Sequence, residues 1–81
     1  MYQKIGEKIW IAGSYKGEKF IPYKFKWGDR EIKINQITLV SDVKDGGIKK
    51  RFYSVTSDRE VYRILFNRES EQWTLEEIWI E

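Results

Sequence analysis

Basic side chains are the residues whose type and spacing most clearly indicate a chemistry in this sequence. Seven of the fifteen lie in two short stretches, residues 24–33 and 49–51, as Lys24, Lys26, Arg30, Lys33, Lys49, Lys50 and Arg51. Lysine and arginine neutralise phosphates, so a surface that gathered these side chains would bind nucleic acid weakly and with little sequence preference. Isolated lysines on a strand are also ordinary solvated groups that discourage pairing between sheet edges. The sequence leaves both interpretations open.

The residues that catalysis usually needs are largely missing. The chain has no histidine and no cysteine, so its serines lack an imidazole that could activate them, and thiolate metal sites and disulfides are excluded. The acidic pairs Asp42 with Asp45 and Asp58 with Glu60 lie beside turn signals, where aspartate is ordinary turn chemistry. We therefore predict no catalytic, metal or cofactor site, and we expect that the protein is not an enzyme.

Two tryptophans stand in nearly identical surroundings near the two ends of the sequence. One lies in Ile9-Trp10-Ile11 and the other in Ile78-Trp79-Ile80. Each segment is apolar on both faces of a strand, and a small domain cannot easily bury both faces of both strands. If the two strands pair, Trp10 and Trp79 become candidates for a protein interface, because tryptophan often dominates binding energy. Plain packing in the core is the alternative.

The pattern of apolar residues predicts strands for most of the chain. Residues 20–27 alternate, with Tyr23, Phe25 and Trp27 on one face and Lys24 and Lys26 on the other, which is typical of a half-buried strand. Eleven isoleucines against three leucines favour strands further, since branched side chains suit a pleated surface.

Turn signals divide these strands. Residues 45–47, Asp-Gly-Gly, predict a hairpin, and the polar residues 14–19 predict a loop. The long strand predicted over residues 31–43 changes its apolar phase, so a strong bend or bulge is expected at Asn35-Gln36. Short strands separated in this way predict an all-β fold, a small SH3-like barrel of five to six antiparallel strands.

Length and composition indicate the number of domains and the expected location of the protein. Eighty-one residues predict a single domain over 1–81, with 1–19 forming an N-terminal strand and loop. No stretch approaches the roughly 20 apolar residues of a membrane span, and no secretory signal pattern is found, so a cytoplasmic location is expected. Charged residues make up 35% of the chain, a usage often met in thermophiles.

From Phe20 onward the chain resembles a small family of uncharacterised prokaryotic proteins. The shared segments are Phe25-Lys26-Trp27-Gly28-Asp29-Arg30, Arg51-Phe52-Tyr53-Ser54-Val55, Val61-Tyr62-Arg63-Ile64, Trp73-Thr74-Leu75 and Ile78-Trp79. The resemblance implies an SH3-like barrel and an association with the surroundings of translesion DNA polymerases. It brings no catalytic residue, and residues 1–19 lie outside it.

Three functional hypotheses follow. The first is a non-catalytic binding or adaptor module that engages a protein partner through an aromatic-lined barrel surface. The alternative is a weak, sequence-tolerant nucleic-acid-binding barrel that uses the basic residues named above, with an affinity that falls steeply with salt. The third is a self-associating domain that forms a homodimer through its terminal strands.

Overall fold

The computed structural model describes residues 1–80, and β-strands account for most of them. The seven strands of this range are β1 (Tyr2–Lys16), β2 (Lys19–Trp27), β3 (Arg30–Lys33), β4 (Gln36–Asp45), β5 (Ile48–Ser57), β6 (Glu60–Asn67) and β7 (Gln72–Ile80). No residue in this range is helical, which confirms the predicted all-β fold. Glu81, the last residue of the predicted domain, lies outside the described residues.

The strands form one antiparallel sheet in the order β3-β2-β1-β7-β6-β5-β4. The two strands that carry the isoleucine–tryptophan segments, β1 and β7, pair with each other and lie inside the sheet. Strand β1 is long enough to pair with β7 through its first half and with β2 through its second half. The first and last segments of the described chain therefore tie the two halves of the sheet together.

The sheet curls until its two edge strands meet at one corner. Strands β3 and β4 lie at opposite edges of the sheet, yet only Ile34 and Asn35 separate them in the chain. The Ile34 amide donates to the carbonyl of Tyr23 on β2 at 2.9 Å, and the Asn35 amide donates to the carbonyl of Thr56 on β5 at 2.7 Å. The bend expected at Asn35-Gln36 is thus a break between two strands that pair with different neighbours.

Two details of the predicted fold differ from the structure. Residues 1–80 form seven strands rather than five or six, because the long strand expected over 31–43 is divided. The sheet is not closed, since β3 and β4 do not pair with each other within the described residues, and the SH3-like barrel stays a prediction.

The first hairpin also differs from its prediction. Strand β1 continues to Lys16 and β2 begins at Lys19, so the loop expected over 14–19 is a turn of two residues. Gly17 adopts a φ of 65°, a left-handed conformation that glycine reaches without steric cost. The residues 14–16 and 19 therefore belong to paired strands.

The core fills the concave side of the curled sheet. Its members are Ile9, Phe25, Ile32, Tyr53, Val55, Tyr62, Ile64, Leu75 and Ile78. The rings of Phe25 and Tyr62 meet edge to face with centroids 5.2 Å apart, a preferred aromatic geometry that joins β2 to β6 across the interior. No polar or charged residue among residues 1–80 is fully buried in this core.

The phenol of Tyr62 gives the fold a predictable response to alkaline pH. Burial, with a hydrogen bond donated to the Glu60 carboxylate, raises the pKa of Tyr62 from 10.0 to about 12. The neutral phenol is therefore favoured in the folded protein, and its contribution to stability is complete below pH 10 and lost as pH rises toward 12. We expect the free energy of unfolding, measured with urea at pH 10 and pH 12, to fall less in Tyr62→Phe than in the wild type. An equal alkaline loss in both proteins would contradict this assignment.

The described residues contain no helix with the length and hydropathy needed to cross a membrane.

Candidate functional site

A cluster of aromatic rings lies at the end of the curled sheet away from the β3–β4 corner. Trp73 is at its centre, with ring centroids 4.6 Å from Phe66, 5.5 Å from Tyr53 and 5.7 Å from Phe20. Tyr15 extends the cluster by packing edge-on against Phe20 at 5.3 Å. Five different strands contribute these rings, so the sheet has to form before the cluster exists.

Two adjoining clefts open over this cluster. The first, of about 230 Å³, is lined by Tyr15, Glu18, Phe20, Arg51, Tyr53, Phe66, Arg68 and Trp73. The second, of about 550 Å³, is lined by Glu18, Lys19, Phe20, Ile21, Ile37, Val40, Arg51 and Tyr53. We call the second the seam cleft. Its size falls in the range of roughly 300–1,000 Å³ that is usual for binding sites.

The seam cleft lies between two strand edges that carry no partner within residues 1–80. Strand β4 pairs only with β5, and residues 19–22 of β2 pair only with β1. The apolar side chains at these edges are accessible, with Ile21 37% and Val40 51% exposed. A free edge presents unpaired backbone N–H and C=O groups, which makes it a template for another strand. At Pro22 the β2 edge offers only the C=O, because proline has no N–H.

Arg51 is held at the rim of both clefts by an ion pair. Its Nε donates to Oδ1 of Asp42 at 2.6 Å and its Nη2 donates to Oδ2 at 3.1 Å. This bidentate contact lowers the pKa of Asp42 and raises that of Arg51, as expected when both charged forms are stabilised. The guanidinium therefore has a fixed position beside the aromatic rings.

The basic residues predicted to bind nucleic acid fall into separate groups. Lys24, Lys26 and Lys33 share the convex face of β2 and β3, where Lys24 lies opposite Lys33 and its Nζ pairs with Glu31 Oε1 at 2.8 Å. Arg30 lies on the other face, with its guanidinium 5.7 Å from the ring centroid of Trp27.

The second basic stretch lies on β5, whose Arg51 lines the seam cleft opposite residues of β2. Lys49, Lys50 and Arg51 belong to β5, and β1, β7 and β6 stand between β5 and β2 in the sheet. Lys50 Nζ is 3.5 Å from Oδ2 of Asp45, and Arg51 is paired as described above. The structure does not bring the seven residues together as one basic stripe.

The two candidate interface tryptophans both lie on the convex face but at opposite ends of the β1–β7 pair. Trp10 is 65% exposed and lies opposite Lys26 of β2, whereas Trp79 is 50% exposed and lies opposite Tyr2, with ring centroids 6.5 Å apart. Their neighbours Ile9 and Ile78 face the core, as strand alternation predicts. The two tryptophans therefore do not form one common patch, and the homodimer stays a prediction.

Sequence reasoning missed the aromatic cluster and the seam cleft. Phe20, Phe66 and Trp73 are ordinary apolar strand residues until the strand order and register place them together. In the part of the chain that the structure describes, no three acidic side chains come close enough to hold a metal ion, and no histidine or cysteine is available.

Comparison of the chain with protein-family models, curated proteins and solved structures finds no match.

Proposed function

We propose that this protein is a non-catalytic binding or adaptor module that holds an extended segment of a partner protein in the seam cleft. The observation that carries the proposal is an apolar cleft bordered on both sides by strand edges that have no partner among residues 1–80. An extended peptide in that position pairs its backbone with the edges and places alternate side chains in the cleft.

The lining of the seam cleft is apolar and therefore favours a ligand with apolar side chains. Phe20, Ile37 and Tyr53 form its inner surface, and Ile21 and Val40 extend that surface to the solvent. Burying such accessible apolar area on binding is favourable by roughly 25 cal/mol per Å² before the costs of association are subtracted. A partner segment with apolar residues at every second position fits this surface best.

Charged side chains at the rim of the seam cleft would fix the orientation of the bound segment. Arg51, positioned by Asp42, and Lys19 contribute cations beside the apolar surface, and Glu18 contributes an anion. Polar groups placed around an apolar cleft fix the orientation of a ligand more than they add to its affinity. An acidic residue beside the apolar positions of the partner would complement Arg51.

The gap in the open sheet would be the place where the partner strand binds. A partner strand between residues 19–22 of β2 and strand β4 would complete the SH3-like barrel that the sequence resemblance implies. The bound state would then leave fewer free edges than the protein alone, which lowers the risk of uncontrolled pairing.

Selection from a library of random peptides tests the proposal. We expect the wild type to enrich sequences with alternating apolar residues and no proline within the paired stretch, because proline lacks the N–H that a ladder needs. The enriched peptides should bind Val40→Arg at least about tenfold more weakly, since the charged side chain would occupy the cleft.

Leu39→Arg is the matched control. Leu39 is 55% exposed on the same strand but lies opposite Ser54 on the convex face, so the same substitution should leave peptide affinity unchanged. Failure to enrich any sequence, or equal losses in Val40→Arg and Leu39→Arg, would contradict the proposal.

A further inference from the structure

The convex face of the sheet carries an exposed tryptophan among lysines. Trp10 is 65% exposed, although Ile9 and Ile11 on either side of it face the interior. Exposing so much of a large aromatic ring leaves apolar area in water that folding could have buried. The ring is therefore available to stack against another planar group.

Positive charge surrounds this ring. Lys8 Nζ lies 5.6 Å from the ring centroid of Trp10, and Lys26 is the residue directly opposite Trp10 on β2. Lys24 and Lys33 follow as the next opposed pair on the same face. Glu31 is the anion among them and pairs with Lys24, so the group keeps an excess of positive charge.

A shallow cleft adjoins the indole. It has a volume of about 230 Å³, and its lining includes Trp10, Ala12, Lys24, Lys26 and the carboxylate side chain of Glu31. Ala12 lies opposite Lys24, and its small side chain leaves space beside the Trp10 ring. The face thus combines a flat aromatic surface, adjacent space and flanking cations.

We propose that this convex face, centred on Trp10, binds single-stranded nucleic acid. One base stacks on the Trp10 indole, while Lys8, Lys24, Lys26 and Lys33 neutralise the neighbouring phosphates. Only unpaired bases offer their faces for stacking, so the site selects a single strand over a duplex. An acidic peptide would use the lysines but would have no use for the exposed ring.

This site is independent of the seam cleft. Its residues lie on the convex face of β1, β2 and β3, whereas the seam cleft opens between β2 and β4. Variants at Trp10 or Lys26 can therefore fail to bind nucleic acid while they retain peptide binding, and the two proposals can be tested apart.

Fluorescence anisotropy of a labelled oligothymidylate of about 15 nucleotides tests the proposal. We expect binding at about 50 mM salt, with log affinity falling against log salt by roughly 0.7 for each phosphate neutralised. Trp10→Ala should weaken binding by about fivefold or more because a stacked base is lost. Lys26→Ala should weaken binding and reduce the salt slope by roughly 0.7.

Two matched controls separate this site from general effects. Trp79→Ala removes an equally large ring, 50% exposed, from the far end of the same strand pair, and should leave affinity unchanged. Lys49→Ala removes a lysine of β5, outside the convex face of β1, β2 and β3, and should leave the affinity near that of the wild type.

Several results would overturn the proposal. They are the absence of binding at about 50 mM salt, equal affinity for Trp10→Ala and the wild type, and equal affinity for duplex and single strand. Displacement of the oligonucleotide by polyglutamate at an equal concentration of charges would also overturn it, because it would identify the face as a site for acidic polymers.

Discussion

Phe25→Ala is expected to lower the free energy of unfolding by about 3–5 kcal/mol. Phe25 is 1% exposed, lies opposite Ile11 on β1 and Ile32 on β3, and packs against the ring of Tyr62. Removal of the ring leaves a cavity between β1, β2, β3 and the Tyr62 ring of β6. The surrounding side chains cannot move far enough to fill that cavity. A domain of this size is usually stable by only about 5–10 kcal/mol, so the variant should unfold at much lower urea.

Tyr23→Ala is the control for this prediction. It removes an aromatic ring from the same strand, but Tyr23 is 51% exposed, so the loss should be below about 1 kcal/mol. Urea unfolding followed by tryptophan fluorescence measures both variants. Similar losses in the two would mean that Phe25 is not the centre of the core.

Gly13→Ala is expected to destabilise the protein by about 1–3 kcal/mol and to disturb the seam cleft. A Cβ at Gly13 would lie 2.5 Å from the carbonyl oxygen of Ile21 and from Cζ of Phe20, and 2.9 Å from Cα of Pro22. Two of these three atoms belong to the backbone of β2, so a side-chain rotation cannot relieve the contact. Strand β2 would have to move away from β1 at the residues that border the cleft.

Two measurements follow from this substitution. Urea unfolding should show the loss of stability, and peptides selected on the wild type should bind the folded variant more weakly because Phe20 and Ile21 are displaced. Ser14→Ala, at the next, exposed position, should change the free energy of unfolding by less than about 0.5 kcal/mol. A Gly13→Ala protein as stable as the wild type would contradict the close approach of β1 and β2.

Local patterns were sufficient to predict the strands but not their neighbours. Alternation over residues 20–27 correctly placed Phe25 toward the core, because side-chain direction along a regular strand depends only on its own pleat. It was wrong for Tyr23, which is 51% exposed at the register shift between β1 and β2. The hairpin at residues 45–47 and the break near Asn35 were predictable for a similar reason, since turn residues and changes of phase are local signals.

The candidate sites depend on information that no single strand contains. Trp73 meets Phe20, Tyr53 and Phe66 only because β7, β6 and β5 are consecutive in the sheet and β2 curls over them. The register shift at Ala12 and Gly13 also changes which residues of β1 and β2 face each other. For the same reason, the basic residues of 24–33 and 49–51 could be read as one stripe from the sequence, although Lys24, Lys26 and Lys33 share the convex face whereas Arg51 lines the seam cleft.

Amide hydrogen exchange of the free protein measures directly whether the seam between β2 and β4 is open. We expect the amides of β4 that point away from β5 to exchange rapidly, whereas those of β6, which is paired on both sides, exchange slowly. A peptide selected for the seam cleft should slow the exchange of these β4 amides. Protection of those amides in the free protein to the level of β6 would show that β4 already has a second partner, and the seam cleft could not then accept a strand.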